Sequence, residues 1–215
     1  MRLLFYRVNP VYCDFLRQYD NRVPYTSAEK QLRPFVGIIL EEGNGIKCFA
    51  PLTSPKPKHL TMKNQIDFLK INGGVWGAIN FNNMIPIHEQ NLMKVDLIIR
   101  SGDTRAEINY KNLLTNQLSW CNSNRENILN KARKLYSLIT EGKAPEKLTE
   151  RCCDFNLLEE KYSVYIEMQR ARQEAAAAVD GKGKPAGISD HIEKAKAQLK
   201  DQARSKTKLT KNQER

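Results

Sequence analysis

The alternation of apolar and polar positions predicts a strand, a helix and a loop at the beginning of the chain. Residues 3–8 have the pattern of a short strand, and Asn9-Pro10 then provides a helix cap with proline at the first helical position. We therefore predict a helix over residues 10–19. The polar stretch over residues 20–32 predicts a loop.

Short apolar runs separated by glycine and proline characterise the next part of the chain. Residues 35–40 and 46–52 flank Gly43-Asn44-Gly45, and two apolar runs joined by such turn residues predict a β-hairpin. Further short strands are predicted over residues 66–71, 76–81 and 93–99. Several short strands around glycine turns favour a small, strongly curved antiparallel sheet or barrel.

The apolar period changes to 3.6 residues after residue 103, which indicates helices. Three pairs with the spacing of a capping box open the predicted helices: Thr104 with Glu107, Ser123 with Glu126, and Asn156 with Glu159. The second of these helices is predicted to stop at Gly142. We therefore expect an α+β protein, a small barrel elaborated by several helices.

A change of composition marks a boundary near residue 178. The third helix ends in an alanine run, and a linker rich in glycine and lysine follows it. Residues 181–215 then carry ten basic and four acidic side chains with almost no apolar stripe. The chain is predicted to comprise a domain over residues 1–178 and a flexible linker with a basic helical tail over residues 179–215.

The overall charge favours a polyanionic partner. Among the 215 residues, 35 are Lys or Arg and 24 are Asp or Glu, which leaves a formal net charge of +11 at pH 7. A surplus of this size points first to nucleic acid. The mean hydropathy of −0.59 and the lack of a long apolar run exclude a membrane-spanning helix. With no secretory signal at the start, we expect a cytoplasmic protein.

The cysteines indicate neither a disulfide framework nor a zinc site. There are five of them, without a Cys-x-x-Cys pair or a paired-histidine spacing. Cys13, Cys48 and Cys121 are predicted to be small buried apolar residues, and the adjacent Cys152 and Cys153 are given no role. No metal site and no cofactor are expected.

The segment with the clearest chemical potential is the loop after the second strand of the hairpin. There an apolar strand delivers Thr53, Ser54 and Lys56 into residues 53–56, which we call the TSPK loop. Hydroxyls can donate to nonbridging phosphate oxygens, and a lysine can balance the charge that grows on a phosphorane. A Ser-Pro pair after a strand is also ordinary turn chemistry, so this pattern alone leaves both interpretations open.

Other basic and aromatic residues are predicted to surround this loop. Candidate RNA-binding residues are Arg33, Lys58, His59 and Lys63, and Tyr12 in the first helix is a candidate for the site itself. The alternatives are a solvated cation for Arg33, a half-buried helix residue for Tyr12, and a surface or capping role for His59.

Five segments taken together carry a family resemblance. They are Tyr12 and residues 35–40, 50–56, 83–87 and 155–162. Over residues 3–165 the chain resembles the ToxN/AbiQ family of type III toxin-antitoxin endoribonucleases. The most specific part is the TSPK loop together with residues 84–87, the MIPI segment, and residues 157–162, the LLEEKY segment.

The resemblance implies a compact barrel similar to the Kid/MazF (SH3-like) toxins, which acts in phage defence by abortive infection. Such an enzyme cleaves cellular and phage RNA at adenine-rich sites without a metal. Its inhibitor is a folded repeat RNA, a pseudoknot, with which it forms a closed ring. The family also implies that Thr53, Ser54, Lys56 and Tyr12 line the catalytic groove. Arg33 stands where the family often has lysine, so we expect phosphate binding there but no proton transfer.

Metal-free cleavage of RNA implies attack of the 2′-hydroxyl on the adjacent phosphate, giving a 2′,3′-cyclic phosphate and a 5′-hydroxyl. We assign Lys56 to charge stabilisation, Thr53 and Ser54 to orienting the phosphate, and Tyr12 to proton donation. Two alternatives stay open. One is a noncatalytic RNA-binding protein, and the other is a ribonuclease toxin neutralised by a protein.

Overall fold

The computed structural model describes residues 2–25, 34–41 and 45–180. The strands are β1 (Leu4–Val8), β2 (Phe35–Glu41), β3 (Lys47–Thr53), β4 (Phe68–Lys70), β5 (Ala78–Asn80), β6 (Ile85–Pro86) and β7 (Leu92–Lys94). The helices are α1 (Pro10–Arg17), α2 (Pro57–Thr61), α3 (Arg105–Ser123), α4 (Arg125–Thr140), α5 (Glu146–Thr149) and α6 (Phe155–Asp180). The chain divides into two compact units, Met1–Tyr162 and Ser163–Arg215.

An antiparallel sheet forms the centre of the first unit. Its strand order is β4-β5-β3-β2-β1-β7, with β6 paired to β3 beside this path. The predicted hairpin is confirmed, because β2 and β3 pair with Phe35 opposite Pro51. In the part of the chain that the structure describes, no pairing joins the edge strands β4 and β7, so the sheet is open. The α+β class is confirmed, whereas the closed barrel is not.

The ring of Phe49 on β3 packs closely against β2 and β1. A Cβ atom on Gly37 would lie 1.9 Å from Cδ1 of Phe49, so the ring covers the space that a side chain on β2 would need. The edge of Tyr6 meets the same Phe49 ring, with centroids 5.7 Å apart and planes at 88°. Such aromatic pairs add to the area they bury. Glycine at position 37 therefore lets β2 pack closely against the core.

Two of the helix starts predicted from the sequence agree with the structure, and two differ from it. The Asn9 side chain accepts from the backbone N–H of Val11, and Thr104 forms both bonds of its capping box with Glu107. Ser123, however, is the last residue of α3, and α4 begins at Arg125 after the single residue Asn124, so Asn124 and not Ser123 occupies the position before α4. The start predicted at Asn156 is also wrong. The Asp154 carboxylate, 3.0 Å from the N–H of Leu157, caps α6 instead.

The cysteines lie in the interior of the protein. All five cysteines are free and buried, which confirms the prediction for Cys13, Cys48 and Cys121. Burial raises the pKa of the Cys13 and Cys121 thiols to about 12.

In the described residues, no helix combines the length and the apolar composition needed to cross a bilayer. The linker and basic tail predicted after residue 178 lie outside the described side chains and stay a prediction.

An ion pair between the buried Asp20 and the partly exposed Arg22 attaches the segment after α1 to the start of α6. Asp20 accepts from Arg22 Nε at 2.8 Å and from the backbone N–H of Asp154 at 2.8 Å. Arg22 also donates to the carbonyl oxygen of Thr149 at 3.1 Å. Burial raises the pKa of the Asp20 carboxyl, but the bonds from Arg22 and Asp154 outweigh burial and lower it overall. Asp20 is therefore charged at neutral pH.

Candidate active site

The TSPK loop begins where β3 leaves the sheet. Thr53 is the last residue of β3, pairs with Ala78 of β5, and is half-buried. Its hydroxyl donates to the carbonyl oxygen of Ser54 at 3.0 Å. Ser54 and Lys56 are exposed, and α2 begins at the next residue. The structure therefore brings Thr53, Ser54 and Lys56 together at the exposed end of a buried strand, as the sequence predicted.

Prolines on both sides restrict the backbone of Lys56. Pro55 precedes it, and Pro57 occupies the first helical position of α2. Lys56 is extended, with φ −140° and ψ 144°, the conformation that a residue before proline prefers. The direction in which the Lys56 side chain leaves the loop is therefore set locally by the sequence.

The turn before β5 supports the loop from beneath. Gly77 has φ +91°, and a Cβ atom on it would lie 2.0 Å from the carbonyl oxygen of Thr53. Gly74 has φ +101°, and a Cβ atom there would lie 2.4 Å from the carbonyl oxygen of His59 in α2. Glycine at both positions permits the positive φ and the close approach. Backbone thus packs directly on backbone under the candidate site.

A buried side chain of α3 holds this turn in place. Gln117 Nε2 donates to the carbonyl oxygen of Trp76 at 2.5 Å, next to Gly77 in the chain. Sequence reasoning missed this interaction. The available signal was a polar residue within the apolar stripe of α3, between Leu114 and Cys121, both of which are buried. The loop is therefore connected to α3 through the turn.

The predicted RNA-binding lysines are all exposed. Lys56, Lys58 and Lys63 lie within residues 54–66, a segment that contains no Asp or Glu. The surface around the TSPK loop is therefore basic, which suits a phosphate ligand. Arg33 was predicted to bind RNA together with Lys58, Lys63 and His59. It lies outside the described residues and stays a prediction.

His59 differs from the expected surface cation. It exposes 2% of its surface, and its ring centroid lies 5.7 Å from that of Phe68. Burial lowers the pKa of the imidazole below its ordinary value of 6.5, and the charges of Lys56 and Lys58 lower it further. A neutral, buried ring provides no cation for RNA. We therefore correct the prediction and place His59 in the packing between α2 and β4.

Tyr12 also needs a correction. It is fully buried, and its hydroxyl donates to the carbonyl oxygen of Pro86 at 2.5 Å, which links α1 to β6. A hydroxyl without exposed surface cannot reach an RNA phosphate in this conformation. The half-buried alternative considered for Tyr12 was closer to its observed position than a place in the exposed site.

The LLEEKY segment at the start of α6 packs against other helices of the first unit. The Tyr136 hydroxyl of α4 donates to Glu159 at 2.7 Å, and the Lys161 ammonium lies 4.8 Å from the centroid of the Tyr19 ring. These contacts hold the first two turns of α6, within the first unit, against α4 and the residues that follow α1. In the described part of the chain, no three His, Cys, Asp or Glu side chains converge into a group that could hold a metal ion.

Comparisons with known proteins agree with the sequence resemblance. The model of the toxin ToxN family of type III toxin-antitoxin systems matches residues 4–163. The endoribonuclease ToxN of Bacillus thuringiensis subsp. kurstaki is 34% identical over 173 residues, covering 79% of this chain and 87% of the relative. The endoribonuclease AbiQ of Lactococcus lactis subsp. lactis is 27% identical over 176 residues, covering 77% of this chain and 90% of the relative.

Solved structures show the same similarity. One, from a study of selective toxin inhibition by a non-coding RNA pseudoknot, has a TM-score of 0.64 and 32% identity, covering 78% of this chain and 99% of the other. The structure of AbiQ, a lactococcal anti-phage endoribonuclease, has a TM-score of 0.65 and 27% identity, covering 77% and 98%. The family match spans the whole sheet, the TSPK loop and the LLEEKY segment, and the chain belongs to the ToxN family of type III toxin-antitoxin toxins.

Proposed function

We propose that this protein is the toxin of a type III toxin-antitoxin system, which cleaves RNA and is inhibited by a folded RNA. It is an endoribonuclease, in common with its ToxN and AbiQ relatives. The observation that carries the proposal is the exposed TSPK loop, supported from beneath by Gly77 and placed within the matched range. A noncatalytic RNA-binding protein would need the basic surface but not the exposed hydroxyls.

The proposed reaction is transesterification at adenine-rich sites. The 2′-hydroxyl loses its proton and attacks the adjacent phosphorus, the bond to the 5′-oxygen breaks, and that oxygen gains a proton. The products carry a 2′,3′-cyclic phosphate and a 5′-hydroxyl. Thr53 and Ser54 orient the phosphate by donating to its nonbridging oxygens. Lys56 balances the additional negative charge of the phosphorane. Arg33 contacts a neighbouring phosphate but takes no part in proton transfer.

The experiment that tests this function is cleavage of adenine-rich single-stranded RNA by the full chain in EDTA. We expect full activity, because the loop supplies its own cation for the phosphorane. We also expect product 5′ ends that accept phosphate from a kinase without prior dephosphorylation. The Ser54→Ala variant, purified in the same way, controls for contaminating ribonucleases. Loss of activity in EDTA, or products with 5′-phosphates, would contradict the mechanism.

The proposed inhibitor is a repeat RNA that folds as a pseudoknot and alternates with the protein in a closed ring. The comparison with a toxin inhibited by an RNA pseudoknot supports this partner. We expect light scattering to find a complex with several proteins and an equal number of RNA repeats, larger than the free protein. A complex of one protein with one repeat would exclude the ring. Neutralisation by a small acidic protein instead would exclude the RNA inhibitor.

A further inference from the structure

A second group of lysines lies against the segment that follows the TSPK loop. Lys70 at the end of β4 donates to the carbonyl oxygen of Leu60 in α2 at 3.3 Å. Lys131 of α4 donates to the carbonyl oxygen of Gln65 at 3.0 Å. With the exposed Lys58 and Lys63, these side chains form what we call the α2–β4 basic surface. Sequence reasoning could not have found Lys131, because it lies 66 residues from its partner.

The charge of this surface is not balanced by its immediate neighbours in the chain. Residues 54–66 contain no acidic side chain. The next acidic residue, Asp67, is buried and accepts from Arg151 Nε at 2.6 Å. Arg151 also donates to the Gln65 side chain at 3.0 Å, so this ion pair lies beside the segment. Asp67 is therefore already neutralised by a cation of its own.

The two added lysines are partly ordered before any ligand binds. Each ammonium group uses one N–H for a backbone carbonyl and keeps two donors for a ligand. Holding these side chains in place lowers the entropy that binding must remove. Leu60 and Val75 expose 57% and 54% of their surfaces on α2 and on the turn that packs under it. Cations interspersed with exposed apolar side chains suit a sugar-phosphate backbone that carries bases.

We propose that the α2–β4 basic surface binds the RNA strand where it continues from the scissile phosphate at the TSPK loop, with Lys70 and Lys131 contacting phosphates. The inference rests on the proposed function, because it takes the TSPK loop as the cleavage site. Single-stranded RNA is the occupant because these ammonium donors lie on and against a segment without acidic side chains, residues 54–66, which follows directly from a loop suited to a phosphate. The contacts carry no base specificity and depend on salt.

The test compares two double variants with the same change of charge. Lys70→Gln/Lys131→Gln removes the proposed phosphate-binding cations. Lys94→Gln/Arg133→Gln is the control, because β7 and β4 are at opposite edges of the sheet path, and Arg133 lies about 200° around α4 from Lys131. Binding of a long adenine-rich single-stranded RNA is measured against salt concentration in full-length Ser54→Ala protein, which prevents cleavage.

We expect the first variant to reduce the slope of log affinity against log salt by about 1.4, which is about 0.7 for each phosphate that a lysine no longer neutralises. At about 0.1 M salt, affinity should fall roughly 25-fold relative to the control variant. The decrease should be smaller for a short RNA that reaches only the TSPK loop. Lys70→Arg/Lys131→Arg keeps the charges and should restore the slope.

An unchanged slope, or an equal change in both double variants, would overturn the inference. Failure of the arginine variant to restore the slope would also overturn it, because the effect would then come from altered packing of α2. These outcomes are separate from the proposed function, which fails if the unmodified protein does not cleave RNA.

Discussion

Alanine in place of Ser54 is expected to slow RNA cleavage severely while leaving the protein folded and able to bind RNA. Ser54 is exposed in the loop, so its hydroxyl contributes little to the free energy of unfolding. Ser54 donates to nonbridging oxygens whose negative charge grows in the transition state, and loss of such a donor typically costs about 100-fold to 1000-fold in rate. Lys56→Ala should reduce the rate by a similar factor and also weaken RNA binding, because its charge attracts substrate and transition state alike.

Single-turnover cleavage and RNA binding, measured on the same preparations, separate these two effects. Lys94→Ala is the matched control, because Lys94 is an exposed lysine on the edge strand β7, at the other end of the sheet path from β4. In bacteria, expression of the Ser54 and Lys56 variants should no longer inhibit growth. Full activity of both variants, with their expression verified, would place the catalytic site elsewhere on the molecule.

The substitution Gly77→Ala is expected to abolish cleavage through the position of the loop rather than through its chemistry. The added methyl group would lie 2.0 Å from the carbonyl oxygen of Thr53, and φ at position 77 is +91°. Relief of this contact requires a shift of the backbone that carries Thr53 and Ser54, or of the turn that packs beneath it. Overpacking of this kind, together with the positive φ, should lower the free energy of unfolding by about 2 kcal/mol or more.

Gly73→Ala provides a matched control in the same turn. Gly73 also has a positive φ, of +66°, but a Cβ atom there would have no neighbour within 4 Å. This variant should lose only about 1 kcal/mol and keep its cleavage activity. Denaturant unfolding and cleavage rates measured on both variants isolate the contribution of the close approach to the loop. Equal behaviour of the two would show that this approach does not position the site.

Local patterns predicted those parts of the fold that depend on neighbouring residues. The capping box at Thr104, the cap at Asn9 and the β2–β3 hairpin each involve residues close in sequence, and all three are confirmed. The caps predicted at Ser123 and Asn156 failed for a related reason. Whether a residue caps a helix depends on the residue at which the preceding helix or loop ends. The spacing of two side chains does not determine that position.

The solvent exposure of the candidate site residues could be predicted where neighbouring residue types alone determine it. Proline and hydroxyl residues after an apolar strand indicated an exposed loop, and the TSPK loop is exposed. The burial of Tyr12 and His59 depends on partners elsewhere in the chain, since the Tyr12 hydroxyl bonds to Pro86, 74 positions away. Both residues have an apolar body and a polar tip, so their composition fits a core position as well as a surface one.

The burial of the native thiols has a practical consequence for fluorescence and cross-linking experiments. Maleimide and disulfide reagents attack the thiolate, and with the pKa of Cys13, Cys121 and Cys152 raised to about 12, almost none is present near pH 7. Burial raises the pKa of Cys153 as well. Cys48 is buried like the other four. A cysteine introduced at an exposed position can therefore carry a dye while all five native cysteines are retained, and the dye can report where RNA lies on the protein surface.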